Sequence, residues 1–169
     1  MNKAYFTELA AYNQWATDIT CSWLAGISDE QWNQPVISSF GSIQQTVLHV
    51  ISAENAWAER LMHKESVAWL QKEFTGSKAA HIALWKKVSG MFPVIIRSFD
   101  ETRLSEPLTF KRFNGETHTA LYYQVFAHAF NHSGYHRGQL VTLLRQAGFT
   151  DLQSTDLTTF YGAQQQHIK

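Results

Sequence analysis

The sequence predicts an all-α protein: a four-helix bundle with long connections, carrying a small β-hairpin or an extended connector before its last long helix. Three observations lead there. Apolar residues recur mostly at intervals of three and four, the helical period. Only 3 prolines occur in 169 residues, so few positions forbid a helix. Hydrophobic residues make up 44% of the chain and aromatics 14%, enough for a sizeable core. No repeat or low-complexity stretch breaks the pattern. The length fits one domain spanning residues 1–169.

The first helix is expected over about residues 3–25, along a seam of Tyr5, Leu9, Tyr12, Ala16, Ile19 and Trp23, with Gly26 ending it. ISDEQWNQPVISSFGS, residues 27–42, reads as a loop. Ser42 with Gln45 three residues on has the capping-box form, so a second helix starts there and runs to about His63. Its seam is Ile43, Val47, Val50, Trp57 and Leu61, interrupted by Glu54. Ser77 caps a third helix to about Phe99, which Pro93 should kink by removing a backbone hydrogen bond. LTFKRFNGETHT, residues 108–119, changes to a period of two around Asn114-Gly115, the signal for a type I′ hairpin turn. The last long helix runs from about Ala120 to Ala147 with Gly148 just past its end. The tail, 149–169, should hold one short helical turn near DLTTFYG and then fray. The order in which the helices run up and down stays open.

Charge and cysteine usage narrow the class. Lys+Arg and Asp+Glu number 14 each, which argues against a nucleic-acid binder, because phosphate contacts need surplus cations. The single cysteine, Cys21, permits no intrachain disulfide and suits a reducing compartment. The N-terminus shows no long apolar segment of a secretory signal, and no stretch approaches a membrane span. A soluble, cytoplasmic protein is the expectation, with neither nucleic acid nor membrane as partner.

The chemistry concentrates in HAFNHSGYHRGQ, residues 128–139, which places His128, His132 and His136 at successive i,i+4 positions. Residues so spaced lie about 6 Å apart along one helix face, where two imidazoles can share a metal ion. Each such step rotates about 40° around the axis, so one ion does not easily hold all three. Either His128/His132 or His132/His136 is the pair. The remaining histidine then belongs to the surroundings or the core. A third ligand must come from elsewhere. His49 on the second helix is the candidate, with small Thr46 and Ala53 beside it. Glu54 is the rival, since a carboxylate on an apolar seam needs a partner. His63, His81, His118 and His167 fall at helix ends, loops or the tail and read as solvated. Gly134 and Gly138 form a smooth strip roughly opposite the histidines, where another helix, of this chain or a second subunit, can approach. Asn13, Asn131 and Tyr12 lie near the seam and could orient ligands or serve a polar core. Arg137 and Gln139 lie off the stripe and read as packing residues.

YNQWA at 12–16, LHVISAENAW at 48–57 and NHSGYHRGQLVTLLRQAG at 131–148 together resemble the DinB-like (YfiT-like) family of small bacterial metalloenzymes. The likeness spans nearly the whole chain, and the last motif, with HRGQ, is the most specific. The resemblance implies a four-helix bundle, a three-histidine divalent metal site and often a homodimer. Carried over residue by residue, it implies His49, His132 and His136 as ligands, with His128 outside the set. Some relatives carry glutamate at the position of His132. Some act as transferases or isomerases with low-molecular-weight thiols such as bacillithiol, mycothiol or glutathione, and others are hydrolases.

Three neutral imidazoles would leave a divalent ion its full charge and an open position, as catalytic sites do. The ligand type admits zinc, nickel or iron alike. The expected function is a metal-dependent transferase or hydrolase acting on a small molecule, thiol-using in one form. The alternatives are a metal-binding stress-response protein without turnover and a bundle whose histidines are only core. The residues assign no catalytic group beyond the metal ligands. Pocket walls are expected from segments 27–41 and 101–119.

Overall fold

The computed structural model describes residues 2–166. Helix α1 (Lys3–Gly26) begins at Asn2, whose side chain accepts from the Tyr5 amide. Helix α3 (Ile43–Leu61) begins at Ser42, whose hydroxyl accepts from Gln45 N–H. The Gln45 side chain reaches back to the Gly41 amide at 3.0 Å, one residue earlier than a capping box requires. The third long rod is two helices, α5 (Lys78–Ser89) and α6 (Met91–Ser98), meeting at Gly90. Pro93 has no N–H for the Ser89 carbonyl four residues back, so the rod breaks there rather than bending smoothly. Helix α7 (Tyr122–Gln146) ends with Gly148 at φ +85°, as expected. Gly148 N–H bonds to Arg145 O and Phe149 N–H to Leu144 O, the paired bonds of a Schellman cap.

Several local expectations are corrected. The 27–42 segment contains a short helix, α2 (Asp29–Asn33), held by a full capping box between Ser28 and Gln31. A further short helix, α4 (Leu70–Glu73), lies in the connection after α3. The hairpin forms, β1 (Pro107–Lys111) pairing antiparallel with β2 (Thr117–Leu121). Its turn is not type I′, which needs positive φ at both central residues. Only Gly115 is left-handed, at φ +88°, and its N–H bonds to Arg112 O, the pattern of a longer turn ending in a bulge. The tail holds ten residues of helix, α8 (Leu157–Gln166), rather than one turn, because Phe160 buries its ring against Tyr12 and Trp15. The expected fraying and His167 lie outside the described residues.

The expected seam is buried at Ala16 and Trp23, but the rest of the buried face of α1 is Phe6, Ala10, Asn13, Thr17, Thr20, Cys21 and Leu24 rather than Tyr5, Leu9, Tyr12 and Ile19. Tyr5 is 44% exposed. The true stripe hides from a hydropathy reading because its middle third is polar. That third belongs to a polar layer between two apolar cores. One core joins Phe6 and Ala10 to Leu61, Ile95, Ile96, Val125 and Phe126. The other joins Trp23 and Leu24 to Ile43, Val47, Trp85, Leu143 and Leu144. The start of α1 thus meets the end of α3, the end of α6 and the start of α7. The four rods therefore run up, down, down, up, and the long connection after α3 returns the chain to the far end. Between the cores, Glu54 Oε1 accepts from Ser133 Oγ at 2.6 Å and Asn13 Nδ2 at 3.1 Å. Asn13 also donates to Ser89 Oγ and accepts from Arg137 Nη1. All four rods contribute to this layer, which sets their axial register because each partner must be met. Among the described residues no helix is long and apolar enough to cross a membrane.

Candidate metal centre

Helices α3 and α7 pack along their length, and α7 turns its histidine stripe toward α3. His132 and His136, one turn apart, face His49. His49 Nε2 lies 3.3 Å from His132 Nε2, and His136 Nε2 lies 3.1 Å from His132 Nε2. All three ligand atoms fall within 4.8 Å of one another. Metal–nitrogen bonds of about 2.0–2.1 Å in a tetrahedral centre separate nitrogens by roughly 3.3 Å. The donor set fits a divalent transition ion on spacing.

It fits on protonation as well. His136 Nδ1 lies 2.7 Å from Gln139 Oε1, and His49 Nδ1 lies 3.4 Å from Gln71 Oε1. An amide oxygen only accepts, so Nδ1 carries the proton in each ring, and the Nε2 lone pairs point at the common centre. Burial, then the nearby His136, His49 and His128, lower the His132 pKa to about 3. Burial lowers His49 and His136 too, with His136 adding to the effect on His49. The three rings are therefore neutral at pH 7, the form that binds metal. Phe40, from the segment before α3, stacks on His49 with ring centroids 4.3 Å apart and also touches His136. Tyr135 meets His136 edge to face.

The other candidates separate cleanly. Glu54, the rival ligand, points into the bundle axis toward Ser133 and Asn13. His128 stays outside the ligand group. Its ring is 5.7 Å from that of His132 and packs edge-on to Trp57. Gln139 corrects its reading as a packing residue, since it orients His136. Its i+3 spacing from His136 was the available signal. Gln71 gave none, coming from a distant loop helix. His81 is not solvated: it is 1% exposed, between the rings of Trp32 and Phe74. Its Nδ1 lies 2.9 Å from the Ser77 carbonyl. His63 and His118 are exposed, as expected. Asn13 and Arg137 serve the polar layer. Tyr12 donates to the Thr155 carbonyl, and Asn131 is exposed. Among the described residues, a Cβ on Gly138 would meet nothing within 4 Å and one on Gly134 only the Arg137 guanidinium at 3.8 Å.

A four-helix bundle with three imidazoles converging from two facing helices defines a protein class able to hold one transition ion. The DinB family model matches residues 1–167, and the chain belongs to the DinB family. The protein DinB of Bacillus subtilis (strain 168) is 26% identical over 149 residues, covering 84% of this chain and 86% of that protein. A crystal structure of a DinB-like protein from Bacillus cereus ATCC 10987 superposes with a TM-score of 0.64 at 21% identity, covering 82% of this chain and 90% of the other. A DinB-like protein from Bacillus subtilis gives 0.67 at 15% identity, covering 88% and 97%. These two structures share the fold.

Proposed function

We propose that this chain is a metal-dependent enzyme of the transferase or hydrolase type, holding one divalent ion (zinc, nickel or iron) on His49, His132 and His136. The observation that carries the reading is the convergence of three neutral Nε2 lone pairs, two of them backed by glutamine acceptors. An ion held there supplies Lewis acidity, polarising a carbonyl and favouring the anionic form of an incoming thiol or water. The protein's own part is to hold the imidazoles neutral and oriented. Phe40 and Tyr135 shield His49 and His136 from water. No protein thiol serves as nucleophile, because Cys21 is the only cysteine, is buried, and burial pushes its thiol up to about 12. A thiol nucleophile would have to be a small molecule from outside, such as bacillithiol, mycothiol or glutathione.

Elemental analysis of protein purified without an affinity tag should find about one transition ion per chain. Wild-type metal content in the His132→Ala/His136→Ala variant would overturn the ligand set. Metal-loaded protein should then be offered thiol conjugates with each cosubstrate, and simple esters and amides. Turnover that survives chelation and the His136→Ala change would exclude the mechanism. The second reading is a metal-binding stress-response protein without turnover. The Phe40 ring on His49 favours it, by closing one approach to the centre. Metal binding with silence across the screen would select it.

The same proposal includes a cytoplasmic homodimer, supported by the Gly134/Gly138 strip and the prevalence of closed two-fold pairs. Light scattering should give about twice the 19.3 kDa chain mass, and a monomer mass at micromolar concentration would refute it.

A further inference from the structure

Arg60 sits near the end of α3, only 9% exposed, and no carboxylate pairs with it among the described residues. Its Nη2 donates to the Lys111 carbonyl at 3.0 Å, while its Nε is buried without any partner. The guanidinium lies over three rings, 4.8 Å from Trp57, 4.9 Å from Phe110 and 5.4 Å from Phe113. Ring faces soften a cation's desolvation but bring no counter-charge. The nearest acids do not serve. Glu59 is held by Lys64 and the Ala68 amide, and Glu65 is exposed beyond the α3 end. Arg112 lines the same space, so two guanidinium groups share it.

That space is a cleft of about 270 Å³, whose walls include Trp57, Arg60, Phe110, Arg112, Gln124 and His128. A neighbouring cavity of about 580 Å³ shares Arg60, Phe110 and Arg112 and adds Lys64, Lys111 and the single acid Glu65, so cations outnumber acids there. One end of the cleft is therefore cationic and aromatic. The other end is His128, whose ring is 5.7 Å from that of His132. A buried, half-satisfied arginine stabilises an anion strongly, because its unmade hydrogen bond is already desolvated.

We propose that this cleft, separated from the metal centre by the His128 ring, takes a small molecule with a carboxylate or phosphate group, the anion beside the Arg60 and Arg112 guanidinium groups and the apolar part against the paired Trp57 and Phe110 rings. The placement of the other end rests on the metal reading; the anion pocket does not. Phosphate and carboxylate share the chemistry, and the experiment separates them.

The probes are 3-phenylpropionate, phenyl phosphate and the neutral 3-phenylpropanamide, titrated calorimetrically into the full chain with and without zinc. At least one anion should bind in both states, with the amide at least about tenfold weaker. Arg60→Met and Arg112→Ala should each weaken the anion by about tenfold or more. Arg112 is exposed, so its variant keeps the test open should Arg60→Met fail to fold. The Arg60 Nε–H signal should move on anion binding in nitrogen-15 spectra. No anion binding at millimolar concentration, equal binding of the amide, or unchanged binding in both variants would overturn the pocket. In cobalt-loaded protein the bound probe should relax faster than in zinc-loaded protein, and equal relaxation would overturn its placement beside the centre. Absent metal with anion binding intact would sink the metal reading alone.

Discussion

Replacing Glu54 with alanine should cost stability without removing metal. The carboxylate is 1% exposed and lies where all four rods meet. Its loss leaves Asn13 Nδ2 and Ser133 Oγ short of an acceptor, and Arg137 without the nearby negative charge. Breaking a buried charged network from one side costs about 3–5 kcal/mol. The low end applies, because Ser133 can turn to the Ala129 carbonyl at 3.0 Å and Asn13 keeps Ser89 at 3.3 Å. About 3 kcal/mol divided by an unfolding entropy of roughly 2.1 cal/mol/K per residue predicts a fall in Tm of about 8 °C for 169 residues. Glu54→Gln keeps an acceptor at Oε1 but puts a buried NH2 where Oε2 has no hydrogen-bond partner, so it should cost about 1–2 kcal/mol, less than alanine. The two variants also differ in pH dependence. Burial raises the Glu54 pKa above 4.5, against the opposing Ser133 and Asn13 bonds and the Arg137 charge. A carboxyl raised in the folded state favours folding when protonated. That contribution is fully present below the unfolded pKa and is lost as pH rises through the folded one. Wild type should therefore lose stability relative to Glu54→Gln as pH rises from about 4.5. Urea unfolding at about pH 4.5 and pH 8, with metal content measured on each sample, checks all three statements. Metal loss in a folded Glu54→Gln variant, a cost below about 1 kcal/mol for alanine, or the opposite pH trend would refute the reasoning.

Gln139→Ala should weaken metal affinity by about 10–100-fold with little change in Tm, since it only orients His136; competition with a chromogenic chelator reads this, and unchanged affinity would deny the role. His128→Ala should retain metal near the wild-type level in elemental analysis, and a folded variant without metal would mean the ligand pair is His128/His132. Gly115→Ala should cost about 1 kcal/mol or more in urea unfolding, because φ +88° strains any residue with a Cβ, while leaving metal content unchanged.

What lies within one helix was legible in the sequence. The caps at Ser42, Ser77 and Gly148 depend on residues one to three positions away, and the hairpin on its own turn. The His132/His136 pair is a local consequence of the helical period. The turn type at Asn114-Gly115 was lost because one or two extra loop residues change which carbonyl Gly115 reaches. The face of α1 was placed correctly at Ala16 and Trp23 but one position off at Tyr5, Leu9, Tyr12 and Ile19, because burial there follows hydrogen-bond partners on three other rods. Periodicity says which residues share a stripe; it does not say which stripe meets which. So only the tertiary structure decided the up-down-down-up order and sent Glu54 to Ser133 and Asn13. It also brought His49 to His132 across 83 residues of chain. Gln71 reached His49, and Arg60 was left among aromatic rings, by the same packing of remote surfaces. The physical reason is that local backbone energetics act within a few residues, whereas a metal centre needs donors from two helices whose facing is set by the burial of everything around them.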